Sequence, residues 1–309
     1  MRVRLGSLIL AVVALAGAPA ASRAQGGPEP RRDINILEHL GNSHRIELPY
    51  WKPPYNYPLD LPRFALVHLG RLTLDFSITK HLVFMMLAAM IAALVLWYTA
   101  HAVARAQAAG RPPRGFAAAM EAIVLYVRQE VILPNVGPHG EGYVNYLLTV
   151  FFFLLACNLF GLLPWGATAT SNIAVTGAMA FLSLCVIEIS GMHALGLKGY
   201  LGTIFYLPPG LPTWMRPVML IIMTPIEIIG KLAKPFALAV RLFANMTAGH
   251  VVLLALIGLT FLFQSYLVGI GASFLATGVM LLELFVAFLH AYIFTLLTSV
   301  FIGLMRAEH

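Results

Sequence analysis

Long apolar runs constrain this chain more than any other feature of its sequence. Several runs reach the roughly 18 residues at which a helix crosses a hydrocarbon core of about 30 Å. Of its 309 residues, 60% are hydrophobic and 11% are charged, whereas a soluble domain averages about 25% charged residues. Because hydrocarbon offers the backbone no hydrogen-bond partners, we predict an all-α polytopic membrane protein with about five membrane helices.

The net charge of +7 comes from Lys and Arg residues that cluster at the ends of the apolar runs. This pattern indicates membrane topology, and the basic, aromatic-rich footprint of a nucleic-acid-binding protein is not present. Cys157 and Cys185 lie inside apolar runs and are predicted to be small buried side chains. We expect no metal site and no cofactor, because the two cysteines have neither the number nor the setting of a zinc site. We also expect no catalysis by this chain alone, since the sequence contains no phosphate-binding Gly-Lys-Ser/Thr loop.

The N-terminal part of the chain has the pattern of an exported segment. Residues 1–25 combine Arg2 and Arg4, a short apolar core and small residues near position 20, which predicts a signal peptide; an uncleaved anchor is the alternative. Residues 26–78 are rich in Pro and are predicted to form an extracytoplasmic extension with little regular structure. Residues 79–309 are then predicted to form the membrane helical domain.

Charge bias predicts how the spans are oriented. The first span, residues 82–100, is followed by Arg105, Arg111 and Arg114 with no acidic residue among them, which is typical of a cytoplasmic loop. An exported N-terminus agrees with this orientation. Residues 115–133 read as an interfacial amphipathic helix, further spans are predicted at 143–163 and 172–193, and Arg306 fits a cytoplasmic C-terminus.

Two apolar segments, residues 215–263 and 265–305, are too long for one perpendicular crossing at about 1.5 Å per residue. We predict two long, steeply tilted helices, with a junction or kink near Pro235. Both segments contain ionisable residues, which are costly inside a membrane and normally face a protein interior or a water path.

Helical spacing sorts these residues into faces. Glu227, Lys231 and Lys234 share one face, either as a structural Glu227–Lys231 ion pair or as the polar wall of an ion path. Arg241 and Asn245 also share a face, and His250 lies nine residues after Arg241, on the opposite side of the helix.

Glu283 and His290 lie seven residues apart in the last long segment, with Ala287 between them. An acid and an imidazole on one helix face are typical of a proton relay. Simple packing of the imidazole is the alternative.

Residues 241–250, Arg-Leu-Phe-Ala-Asn-Met-Thr-Ala-Gly-His, closely resemble the signature helix of subunit a of F-type ATP synthases. The resemblance extends over about residues 80–306 and includes the spacing of Glu227, Lys234-Pro235 and Arg241, and the segments 158–164, 170–176 and 283–294. The signal peptide and the long extension resemble only some bacterial branches of that family.

The chain departs from many bacterial members at three places. His250 and Glu283 stand in the reverse arrangement, which is also familiar from mitochondrial forms, and His290 replaces a common Gln. Gly161 occupies the position of an intramembrane acid that some relatives have, which puts an access path built on that acid in doubt.

The resemblance implies a stator subunit of the membrane sector, in the bacterial inner membrane, with two half-channels that pass protons to and from a rotating c ring. It implies that Arg241 faces the ring, that His250 and Glu283 relay protons, and that other residues support them, namely Asn245, His290, Glu227 and Asn172. The implied partners are the c ring, the b-subunit peripheral stalk, the other ATP synthase subunits and membrane lipids, and no nucleic acid.

Two alternatives remain at this point. One is a sodium-coupled version of the same subunit. The other is an unrelated secondary transporter, which normally has repeated halves, whereas the buried charges of this chain lie in one half only.

Overall fold

The computed structural model describes residues 45–49, 56–62, 67–69, 72–74, 77–138, 140–163, 168–205 and 212–307. The predicted signal peptide, residues 1–25, lies outside these ranges. So do His39 and His44 of the extension.

The described part of the chain is dominated by α-helices, which are α1 Lys80–Ala108, α2 Phe116–Tyr126, α3 Leu133–Val136, α4 Glu141–Gly161, α5 Ile173–Ile204, α6 Arg216–Phe263 and α7 Tyr266–Ala307. Helix α5 is kinked at Gly196, whose φ is 68°. Of the described helices, 5 are long and apolar enough to cross a membrane: α1, α4, α5, α6 and α7. The prediction of an all-α polytopic membrane protein with about five membrane helices is confirmed.

The extension contains two short antiparallel hairpins that the sequence reading missed. Strand β1 (Arg45–Pro49) pairs with β2 (Asn56–Asp60), and β3 (Val67–Leu69) pairs with β4 (Leu72–Leu74). Both strands of a two-stranded hairpin are edge strands, and an edge strand accepts Pro where its missing N–H would point outward. The prolines of this segment were therefore a poor argument against strands.

The predicted interfacial helix is observed as α2, followed by a π-helical stretch, Val127–Ile132, and then by α3. Pro134 lies in the first turn of α3. The helical stretch ends at Gly137, which has a positive φ of 79°.

Helices α6 and α7 are each continuous, with 48 and 42 residues. At about 1.5 Å per residue they are roughly 72 and 63 Å long, about twice the thickness of a hydrocarbon core. Helix α6 continues through Pro225 and Pro235. The segment in which we expected a junction or kink near Pro235 is therefore a single helix. The turn to α7 is short and contains Gln264, whose φ is 45°.

The chain divides into two compact units. The first unit comprises Met1–Met90, Leu155–Ala178 and Leu242–Leu289, and the second comprises Ile91–Leu154, Met179–Arg241 and His290–His309. His250, Glu283, Asn172 and Asn245 thus belong to the first unit, and Arg241, Glu227 and His290 to the second.

Candidate functional site

A buried polar turn lies between α4 and α5 in the first unit. Thr168 is 2% exposed and precedes the 3₁₀ turn Ala169–Ser171, in which Ala169 and Thr170 are also buried. The backbone N–H of Ser171 donates to the carbonyl of Thr168 at 3.0 Å, which closes the turn. Because the turn is not helical, its remaining polar groups need partners from neighbouring helices.

His250 on α6 is held by this turn. The side-chain oxygen of Thr168 makes a short hydrogen bond with Nε2 of His250. Thr168 itself packs on Gly161 of α4, where a methyl group would overlap the Thr168 side chain. The space that a side chain at position 161 would need is thus filled by Thr168.

Glu283 on α7 packs against the same part of α6. A methyl group built on Gly249 would overlap Oε1 of the Glu283 carboxylate, which is 9% exposed. Gly249 directly precedes His250. Glu283 of α7 therefore packs on the α6 residue that directly precedes His250.

Asn158 on α4 connects this helix both to α7 and to the turn of residues 168–171. Its side chain is fully buried, its Nδ2 donates to the carbonyl of Ala287 at 3.2 Å, and its Oδ1 accepts a 2.8 Å hydrogen bond from Thr170. Ala287 lies one helical turn after Glu283. A buried amide with both ends satisfied is a strong positional constraint, so Asn158 sets where Glu283 lies.

His81 in the first turn of α1 also contacts this turn, and the sequence reading missed it. The ring is 5% exposed, and its Nε2 lies 3.4 Å from the hydroxyl of Ser171, which donates to the carbonyl of Thr168 at 2.7 Å. His81 stands one residue before the predicted start of the first span. Treating it as an intramembrane ionisable residue, and not as a boundary residue, would have identified it.

Asn172 has a structural task in the first unit. Its Oδ1 accepts a 2.9 Å hydrogen bond from the backbone N–H of Ala174 and so caps the start of α5.

The residues around Arg241 alternate in burial as expected for a helix with one packed face. Leu238 and Ala239 are buried in the second unit, whereas Arg241 is exposed. Asn245, in the first unit, is exposed as well. His290 is 5% exposed in the second unit.

Lys231 belongs to a polar cluster of the second unit. Its Nζ lies 3.8 Å from Oε2 of Glu188 on α5, donates to Thr203 at 3.2 Å, and stands 4.8 Å from the centre of the Tyr200 ring. The hydroxyl of Tyr200 donates to the same Glu188 oxygen at 2.5 Å. We call these four residues the Glu188 cluster.

The expected ion pair between Glu227 and Lys231 is not formed, since Lys231 pairs with Glu188 on another helix. Glu227 is half-buried. Spacing within one helix could not predict this partner, because Glu188 precedes Lys231 by 43 positions (231 − 188). No group of 3 or more His, Cys, Asp or Glu side chains among the described residues is arranged to hold a metal ion.

Comparison with known proteins agrees with the resemblance found in the sequence. Residues 82–303 match the sequence model of the family described as ATP synthase A chain. The chain is 41% identical over 306 residues to "ATP synthase subunit a 2" of Chlorobaculum tepidum, which covers 98% of this chain and 81% of that relative. It is 46% identical over 250 residues to "ATP synthase subunit a" of Pelodictyon phaeoclathratiforme, covering 79% of this chain and 71% of the relative. It is 40% identical over 308 residues to "ATP synthase subunit a" of Anaeromyxobacter dehalogenans, covering 98% of this chain and 78% of that relative.

Proposed function

We propose that this chain is the stator that passes protons to and from a rotating c ring through two offset half-channels, because the chain belongs to the ATP synthase subunit a family. Members of this family are non-catalytic, multi-pass subunits of the F0 membrane sector. Nucleotide chemistry therefore belongs to other subunits of the complex.

Arg241 is the residue that we assign to the ring. It is exposed on a long apolar helix, and its guanidinium stays protonated in proteins, whereas a desolvated lysine loses its charge readily. A fixed positive charge favours the ionised form of an approaching ring carboxyl group, so that group releases its proton near Arg241. The same charge repels a proton that would cross directly from one half-channel to the other.

We assign His250 and Glu283 to the outer half-channel, which opens to the extracytoplasmic side. The observation that carries this assignment is that Glu283 lies over Gly249 while the adjacent His250 is held by Thr168. A buried acid and an imidazole on two packed helices exchange protons in short steps through water or hydroxyl groups. His290 lies about two turns after Glu283 on the same face of α7, and we assign it to the same relay. Asn245 hydrates the side of α6 on which Arg241 stands.

The inner half-channel, which opens to the cytoplasm, has its polar wall in the second unit. Glu227 is half-buried near the beginning of α6, and the Glu188 cluster supplies further polar side chains on α5 and α6. The resemblance grouped Glu227 with the residues that support the His250 and Glu283 relay. Because Glu227 belongs to the second unit, we assign it to the inner half-channel, where it accepts the proton that leaves the ring. Lys231 holds the wall together through its pair with Glu188.

Protons fit these side chains better than sodium ions. The proposed path consists of imidazole and carboxyl groups, which take up and release single protons. One charge crossing 100 mV supplies roughly 2.3 kcal/mol, so several protons must pass for each ATP. A stator that forces each proton to bind the ring and to turn with it meets this requirement.

The proposed partners follow from the same assignment. They are the c ring against the Arg241 side of α6, the b-subunit peripheral stalk that holds the stator, and the remaining ATP synthase subunits. We place the subunit in the bacterial inner membrane, with the N-terminus exported and the C-terminus in the cytoplasm.

Replacing one acid tests this function directly. In membrane vesicles that contain the complete ATP synthase, Glu283→Gln should lower gradient-driven ATP synthesis by roughly 10²-fold, within the range typical of positioned proton-transfer groups. The matched control is Glu130→Gln, because Glu130 is exposed on the π-helical stretch after α2. Equal synthesis in the Glu283 and Glu130 variants would contradict the proposed relay.

A further inference from the structure

Lys231 has two acidic residues that could be its partner. One is Glu227, four residues earlier on the same face of α6, and a Glu that precedes a Lys by four residues forms a favourable helical pair. The other is Glu188 of α5, and this is the observed partner, with 3.8 Å between Nζ of Lys231 and Oε2 of Glu188. Glu227 forms no ion pair or side-chain hydrogen bond with any residue that the structure describes. The ion pair between α5 and α6 therefore leaves Glu227 without a cation.

The contacts that the structure shows for the Lys231 ammonium all lie on α5. Besides its pair with Glu188, Nζ donates to the Thr203 hydroxyl at 3.2 Å and stands 4.8 Å from the centre of the Tyr200 ring. Tyr200 in turn donates its hydroxyl to Glu188, which it follows by 12 positions. In a straight helix these positions are about 18 Å apart, so the contact requires the kink of α5 at Gly196. The kink thus brings three groups of α5 around one ammonium.

The choice between the two acids affects the proposed inner half-channel. Glu227 is assigned there as the group that accepts the proton leaving the ring, so its carboxyl group must take up and release protons. A lysine paired with this group would favour the carboxylate and oppose proton uptake. Because an unpaired charge inside a membrane is costly, a Lys231 that lost Glu188 would turn to Glu227, the only acidic residue of α6.

We propose that Glu188 is a positioning residue of the inner half-channel, which holds Lys231 away from Glu227 and so keeps the Glu227 carboxyl group free for proton exchange. This inference rests on the proposed function, because that function assigns the transported proton to Glu227. Glu188 acts only through Lys231 and does not carry the transported proton. Its part is the exclusion of one ion pair by another, so no covalent bond is formed or broken at Glu188.

The test removes the charge of Glu188 and then the charge that it holds. Gradient-driven ATP synthesis is measured in membrane vesicles with the complete ATP synthase, normalised to the amount of assembled subunit, for Glu188→Gln alone and combined with Lys231→Met. In Glu188→Gln the amide oxygen still accepts the hydrogen bond from Tyr200, so the change removes the charge and keeps this contact. The matched control is Glu130→Gln, because Glu130 is an exposed acid of the same unit.

A positioning role predicts that Glu188→Gln lowers synthesis at least about tenfold, consistent with partial loss of a proton-transfer group. The double variant should retain several times more synthesis than Glu188→Gln alone, because no lysine is left to pair with Glu227. Glu130→Gln should retain most of the synthesis. Full synthesis in Glu188→Gln would overturn the proposal, and so would a double variant as slow as Glu188→Gln alone.

Combination with Glu227→Gln separates positioning from a merely structural role. In the Glu227→Gln background, Glu188→Gln should add no further loss, because the group through which Glu188 acts is gone. A further loss in that background would identify Glu188 as structural and contradict the proposal. If Glu188→Gln alone does not assemble, its combination with Lys231→Met decides, since no unpaired charge remains. That variant should retain several times more synthesis than Glu227→Gln, and equal synthesis in the two would overturn the proposal.

Glu227→Gln alone also separates this inference from the proposed function on which it rests. Low synthesis in Glu227→Gln with full synthesis in Glu188→Gln removes only the positioning role of Glu188. Normal synthesis in Glu227→Gln removes the assignment of Glu227, and with it the proposed inner half-channel.

Discussion

The carboxylate of Glu283 lies directly over Gly249, one residue before His250 on α6. A glycine inside a helix costs about 1 kcal/mol relative to alanine, and Gly249 has a packing reason to be there. It gives an acid from α7 the space to reach the backbone of α6 beside the imidazole. Gly161 likewise leaves space on α4 for Thr168, and the side-chain oxygen of Thr168 makes a hydrogen bond with the His250 ring.

Filling that space should displace the acid. Gly249→Ala should lower proton flux through the membrane sector by about tenfold or more, because a proton-transfer group moved out of position loses most of its contribution. Gly258→Ala is the matched control, since it lies on the same helix and a methyl group there meets nothing within 4 Å. The measurement is passive proton flux in vesicles stripped of the catalytic sector. Equal flux in the two variants would show that the position of Glu283 does not matter.

Exchanging the two groups should restore what either single change removes. His250→Glu with Glu283→His keeps one acid and one imidazole, in exchanged places on α6 and α7. We expect the double variant to retain several times more gradient-driven ATP synthesis than His250→Glu or Glu283→His alone, as coupled residues do. Equal losses in all three variants would argue that the two residues act independently.

The pair of Lys231 and Glu188 should be a structural coupling within the second unit. Lys231 is 11% exposed and Glu188 19%, so removing one partner leaves a largely buried charge. Lys231→Met should lower the stability of the subunit by about 3 kcal/mol, typical of an ion pair broken on one side. The loss is read as reduced thermal stability of the purified complex.

A double-variant cycle identifies the partner of Lys231. Adding Glu188→Gln to Lys231→Met should recover part of the lost stability, because the amide still accepts the hydrogen bond from Tyr200 without an unpaired charge. Strictly additive losses would show that the two side chains are not coupled. Lys198→Met, at an exposed position of the same unit, serves as the control for removing a lysine.

The sequence predicted the helices well because their signals are local. Apolar length determined α1, α4 and α5, and excess length identified α6 and α7 as unusually long. It did not predict the hairpins of residues 45–74, because prolines were read as breaks although edge strands tolerate them. It also overstated the effect of Pro235 on its helix.

The site was predictable only in part. Helical spacing grouped Glu283 with His290 and separated Arg241 from His250, since these relations lie within single helices. The contacts of Thr168, Asn158 and His81 join residues far apart in the chain, for example Asn158 with Ala287. No periodicity reports such contacts, and the same reason made Glu227, and not Glu188, the expected partner of Lys231.

Orientation in the membrane is tested by labelling. In a variant without Cys157 and Cys185, a cysteine introduced by Arg111→Cys should react with a membrane-impermeant thiol reagent only after the cells are permeabilised, because basic loops stay in the cytoplasm. Leu59→Cys, at an exposed position of the extension, should react in cells whose outer envelope alone has been opened. Efficient labelling of the first variant in intact cells would reverse the proposed topology.

Arg241 is the centre of the account, and gradient-driven ATP synthesis in membrane vesicles tests it most directly. Arg241→Ala should abolish synthesis while the assembled complex remains in the membrane, and Arg241→Lys should fail nearly as badly, because a desolvated ammonium sheds its charge and lacks the planar guanidinium. Arg216→Ala is the control, since Arg216 is an exposed arginine at the start of the same helix, and it should retain most of the synthesis. Near-normal synthesis in Arg241→Ala would show that Arg241 is only a structural charge, and would contradict the assignment of this chain as the stator of the ion path.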